Sequence, residues 1–129
     1  MSLDVPPALL ERARAGEVDN EEFVACIKSS LPYAWELVEE LVARTRETGA
    51  TFADNRTAPP DDAAQGQLLR AMSSDSMRAA MEEHFGVRIA FQNCHRVAVF
   101  TSSASEEQYR TFKSRRAQLL NQSPELVNC

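Results

Sequence analysis

Along most of the chain apolar residues recur at steps of three and four, and over one later stretch they recur at steps of two. The first spacing predicts helices and the second predicts strands. Pro6 and Pro7 follow Asp4, and proline is tolerated in a first helical turn because its missing N–H has no partner to lose. A short helix is therefore expected from Pro6 to Ala15, stopped by Gly16. Asp19 or Asn20 caps a second helix that carries Phe23, Val24 and Ile27 on one side and ends near Ser29 and Ser30. The strongest pattern covers 32–47, where Leu31, Ala34, Trp35, Val38, Leu41 and Val42 share a face, Glu36, Glu40, Arg44 and Glu47 share the other, and Gly49 ends the run. Residues 50–60, ATFADNRTAPP, hold turn formers without a sustained period and read as a connecting loop.

A helix over 61–72 follows, with Leu68, Leu69 and Met72 on its apolar side and Gly66 weakening it by about 1 kcal/mol relative to Ala. Ser74 caps the next helix, whose Met77, Ala80, Met81, His84 and Phe85 form a stripe before Gly86. Then Val87, Ile89 and Phe91 alternate with Arg88, Ala90 and Gln92, and Val97 and Val99 alternate with Arg96, Ala98 and Phe100. Such alternation predicts a hairpin with a tight turn at 92–95, where Asn93 tolerates a left-handed conformation. Ser103 and Glu106 have capping-box spacing ahead of Tyr109, Phe112, Arg116, Leu119 and Leu120, so a last helix is expected over 105–121, with Pro124 closing the ordered part.

The expected fold is α+β and mostly helical, with about six helices and one antiparallel hairpin near 87–101, in a single domain over 1–129. A lone hairpin is marginal, so its apolar face needs helices, further strands or a second copy, and a homodimer is expected. With 129 residues and 43% hydrophobic content the chain can build a core without disulfide or metal staples. Fourteen Lys plus Arg against 19 Asp plus Glu leave a formal charge of −5, which opposes contact with a polyphosphate or an anionic bilayer; neither nucleic acid nor membrane is an expected partner. No basic-then-apolar leader opens the chain, and no apolar run approaches the roughly 20 residues that span a bilayer. A cytoplasmic location is expected. Cys26, Cys94 and Cys129 form an odd set without ligand spacing and read as reduced thiols.

No phosphate loop, dinucleotide fingerprint, nucleophile elbow or paired-histidine zinc motif occurs, so no cofactor and no metal is expected. The densest cluster of reactive groups is Gln92, Asn93, Cys94, His95 and Arg96 at the hairpin turn. Cys94 and His95 are adjacent and point to opposite faces of a strand, which argues against a catalytic pair. His95 shares parity with Val97 and Val99 and reads as a half-buried imidazole bonded to backbone. Arg70 lies close to an apolar stripe and calls for an internal carboxylate, or a ligand's. Trp35 reads as a core anchor, and Asp54, Asn55 and Arg56 as a polar loop tip.

At SLPYAWELVEELV, FADN, GQLLRAM, HFGVRIAFQNCHRVAVF and LLNQSPEL the sequence resembles a small, mostly uncharacterised actinobacterial family, and more distantly the lysinoalanine-bridge-forming enzymes of cinnamycin- and duramycin-type lanthipeptide biosynthesis. That resemblance implies addition of a peptide lysine amine to a dehydroalanine by a homodimeric cyclase that preorganises its modified peptide substrate, without a metal or a covalent intermediate. Orientation alone lowers such a barrier by about 7–11 kcal/mol. On that reading Arg70, Gln92, Asn93 and His95 grip peptide carbonyls and carboxylates and Trp35 forms a wall. The alternative is a non-enzymatic protein-interaction or regulatory protein.

Overall fold

The computed structural model describes residues 3–122. Within them seven helices and three strands follow one another as α1 (Pro7–Arg14), α2 (Asn20–Ser30), α3 (Pro32–Thr48), β1 (Phe52–Asp54), α4 (Asp62–Ser73), α5 (Asp75–Phe85), β2 (Arg88–Gln92), β3 (Arg96–Phe100), α6 (Glu106–Phe112) and α7 (Arg115–Leu120). The mostly helical α+β class expected from the periodicities is the one observed. Capping chemistry sets several helix starts. Asp19 accepts from the Glu22 N–H at 2.9 Å, Asp61 from Ala64 at 2.8 Å and Ser74 from Met77 at 3.2 Å, each satisfying a donor the helix itself leaves open. Gly49 and Gly86 end α3 and α5 in the left-handed conformation that costs a glycine nothing.

The sheet order is β1-β3-β2 and both pairings are antiparallel. Helices α2, α3, α4 and α5 form a layer on one face, where Val24, Ile27, Leu31, Trp35, Val38, Leu41, Leu68, Met72 and Met81 close over Ile89, Val97 and Val99. On the opposite face a smaller cluster of Ala90, Ala98, Phe100 and Phe112 is flanked by Phe52, Ala104 and Tyr109. Helices therefore answer the hairpin's need for cover on one side, and α6 answers it on the other. By contrast, α1 contributes no buried residue. The segment leading into α1 is tied down through the Asp4 N–H to the Ser30 hydroxyl at 2.9 Å, and α1 itself through an Arg12–Glu22 ion pair at 2.6 Å.

Three expectations need correction. Residues 50–60 are not wholly loop: Phe52, Ala53 and Asp54 pair with Phe100, Val99 and Ala98. Three residues are too few to print a period, and the strand exists because the open edge of β3 offers it partners. The single helix expected over 105–121 is broken at Ser114, whose hydroxyl leaves the ladder and caps α7 through the Ala117 N–H at 3.1 Å. The capping box of Ser103 and Glu106 does not form; Ser105 caps α6 instead, accepting from Gln108 at 3.0 Å. Pro124 and Cys129 lie outside the described residues.

Ser74 is at once the last cap of α4 and the first cap of α5, so the two helices meet with no connecting loop. Ser74→Ala is expected to lower the unfolding free energy by about 1 kcal/mol in urea titration, and Ser74→Asp to retain most of it, because a carboxylate also caps a helix start.

Candidate functional site

The hairpin turn places Asn93 and Cys94 at φ 55° and 58°, two consecutive left-handed residues, and the His95 N–H closes the turn on the Asn93 carbonyl at 2.6 Å. Polar side chains around it face inward. Gln92 donates through Nε2 to the Phe112 carbonyl, and Asn93 donates to the Asn121 carbonyl while accepting from Gln118 at 2.5 Å and Gln122 at 3.3 Å. These bonds moor α6 and the end of α7 to the hairpin. His95 is 2% exposed and neither ring nitrogen has a hydrogen-bond partner among the described residues, so the expected half-buried, backbone-bonded imidazole is instead fully enclosed. Its carbonyl carries the bonding, accepting from the Asn55 amide at 2.6 Å.

A second polar group joins the outer face of the sheet. Arg96 forms an ion pair with Asp54, and both side chains are almost wholly buried. Asp54 is also 3.5 Å from Arg56, and its carbonyl accepts from Arg44 at 3.3 Å. Asn55 extends the β1-β3 ladder with its side chain: its N–H donates to the Val97 carbonyl, and its Oδ1 accepts from the Val97 N–H at 2.7 Å. The loop-tip reading of Asp54, Asn55 and Arg56 holds only for exposed Arg56. A signal was present, because Arg96 opens a strand of apolar residues and a guanidinium in that place requires a carboxylate. The pair borders a concavity of about 550 Å³ between the sheet and α6, with Phe52, Phe100 and Phe112 as its apolar wall.

Arg70 lies on α4 and Trp35 on α3. Arg70 turns back along α4 and donates to the Gly66 carbonyl at 3.0 Å, rather than meeting a carboxylate. Trp35 is 3% exposed, its ring centroid 5.2 Å from His84 and 5.1 Å from Phe85, in the helical core. No hydrogen bond or ion pair among the described residues links either of them to Gln92, Asn93 or His95. Cys94 is disulfide-bonded while Cys26 is a buried free thiol, so the expectation of reduced thiols fails for Cys94, and with it the cysteine argument for a reducing compartment. No helix of the described residues is long and apolar enough to cross a membrane.

What the structure leaves open is an edge. Since the Ile89 N–H points to the Glu82 carboxylate at 2.8 Å, it points away from β3, and alternation along the strand turns the Phe91 N–H and C=O the same way. Among the described residues no strand pairs with this side of β2. Two concavities run along it. One of about 310 Å³ is lined by Met72, Ser73, Arg78 and Glu82 on one bank and Tyr109 and Lys113 on the other. The next, of about 590 Å³, continues past Phe91 and Gln92 to Lys113, Arg115, Gln118 and Leu119. The edge of β2 is thus the floor of a groove between the α4-α5 side and the α6-α7 side. At its Arg88 end a guanidinium lies 3.5 Å over the Tyr109 ring and 2.6 Å from Glu106, and this hydrogen bond holds the Glu106 carboxyl below the usual carboxylate range. On the far side of α3 the Tyr33 hydroxyl is held above its ordinary value, first by burial and then by the Glu40 and Asp61 carboxylates.

Fold and site together define a small α+β protein whose conspicuous polar residues are mostly bonded within the fold and whose outer β2 edge, among the described residues, is paired by no strand. All 129 residues match the model of one protein family, KH_NucS_shadow, described as “NucS shadow ORF”, and the chain belongs to that family. No curated protein and no solved structure matches it. The family assignment overturns the resemblance read in FQNCHRVAVF and LLNQSPEL, both to the small actinobacterial family and to the lanthipeptide enzymes. Lanthipeptide, lysinoalanine and cyclase assignments fall with it. In the fold, Gln92 and Asn93 donate to the Phe112 and Asn121 carbonyls, Arg70 is bonded to its own helix, and His95 and Trp35 are buried.

Asp54→Ala is expected to cost about 3–5 kcal/mol in urea unfolding because it removes the carboxylate paired with a buried guanidinium, and Asp54→Ala with Arg96→Met to cost less than the single change. A carboxyl whose folded value is depressed stabilises above its unfolded value and loses that contribution as pH falls through the folded one. Arg88→Met should therefore raise the Glu106 titration midpoint, followed by carboxyl NMR, and remove the corresponding acid-side loss of stability.

Proposed function

We propose that the chain is a non-enzymatic protein-interaction module that receives an extended segment of its partner along the outer edge of β2. The observation that carries this reading is the groove whose floor is that edge, with the Phe91 N–H and C=O directed into it. Unpaired strand edges are templates for another chain, and natural proteins commonly cover or blunt them. Here Glu82 blunts only the Ile89 position. Main-chain bonds to such an edge supply affinity, and the flanking side chains supply selectivity.

The letters KH in the family's short name direct attention to nucleic acid, which KH modules clamp with a GXXG loop. The glycines of this chain stand at 16, 49, 66 and 86, and no two are three residues apart. A net charge of −5 further disfavours a polyphosphate. The helix junction at Ser74 leaves no loop to fold around a backbone, and Asp75 follows it directly. An extended polypeptide suits an edge that offers alternating amide and carbonyl groups.

Selection from a random peptide display library, followed by hydrogen exchange of the purified chain with the selected peptide, tests the reading. Protection centred on Phe91 and Gln92 is expected. Binding that protects another surface instead, or no selectable binder, would sink it.

A further inference from the structure

Resting on the interaction reading above, the geometry points to a particular occupant: we infer that the groove takes an extended segment in which apolar and acidic residues alternate, with its carboxylates on the α6-α7 side. Alternate residues of a strand added to β2 point to opposite faces of the sheet. On the helical-core face they meet Phe91, which is only partly buried against the core. On the other face they meet Lys113 and Arg115, which line the groove beside Gln92 and Gln118.

Charge decides the chemistry of the second set. The part of the groove at Phe91 and Gln92 has two cations and no carboxylate among its described lining residues. Neither Lys113 nor Arg115 belongs to an ion pair among the described residues, although acidic residues outnumber basic ones in the chain. Lys113 is exposed and lies over the Tyr109 ring, its Nζ 4.5 Å from the centroid and 3.3 Å from the hydroxyl. The nearby carboxylates are already engaged, Glu82 by the Ile89 N–H and Glu106 by Arg88, and neither lines the stretch at Gln92. An acidic side chain entering at Gln92 meets only cations, whereas a lysine there meets like charge.

The test uses fluorescence anisotropy with three labelled probes: a short peptide alternating Glu and Val, one alternating Lys and Val, and one alternating Ser and Val. The Glu peptide is expected to bind the chain, and Lys113→Glu with Arg115→Glu to weaken it by about tenfold or more while admitting the Lys peptide. Phe91→Pro removes the edge N–H without touching a β2-β3 bond, whereas Phe91→Ala removes only the ring, so Phe91→Pro should abolish binding that Phe91→Ala merely weakens, both variants being checked for fold by circular dichroism. Equal binding of the Ser and Glu peptides, with the Phe91→Pro effect intact, would overturn the acidic specificity and leave the edge reading standing. Binding of none of the peptides by a chain that sedimentation shows to be dimeric would give the edge to a second copy and overturn the proposal. Preferential binding of a single-stranded oligonucleotide at the groove would overturn both readings.

Discussion

Strand β3 is the constraint on which the molecule depends. Every one of its residues is buried, it is bonded along both edges, and it carries a helical layer on one face and the Phe100 cluster on the other. A strand in that position can tolerate a charge only where the charge is answered, and Asp54 answers Arg96. The answer comes from β1, so the shortest strand exists partly to deliver a carboxylate. Asn55, the next residue, then mends the ladder with its amide where β1 ends. Two adjacent polar residues thus solve the two problems that a doubly covered central strand creates.

Most of the fold was legible because the helices carry both periodicity and caps. Asp19, Ser74, Gly49 and Gly86 mark ends that the structure places where the sequence signals stand. The hairpin was legible for the same reason: alternation on both sides of an asparagine that accepts φ 55°. Less visible were features fixed by distant partners. Phe52 to Asp54 becomes a strand only against β3, and the helix expected over 105–121 breaks at Ser114, a residue that suits a helix start better than an interior. Glu106 did not complete a box with Ser103, because Ser105 stood closer to the first turn.

Candidate chemistry was harder to read than the fold, and for a definable reason. Composition at the hairpin turn identifies donors and acceptors but not what they face. Gln92 and Asn93 look like groups waiting for a ligand, and the structure turns them towards the carbonyls of Phe112 and Asn121. Arg70 looks like a carboxylate receptor and bonds to its own helix. The open edge of β2 had no sequence signature at all, since backbone exposure depends on which strands are missing from a sheet. Lys113 and Arg115 acquire meaning only once that edge lies beside them.

Helix α1 illustrates a different consequence. It buries no side chain in the core, and contacts from Asp4 and Arg12 hold this end of the chain against α2. Secondary structure and cooperative unit therefore have different boundaries in this protein. Such an architecture leads one to expect the amides of α1 to exchange through local fraying, well below the free energy of global opening, and those of β3 to exchange with the unfolding of the whole core.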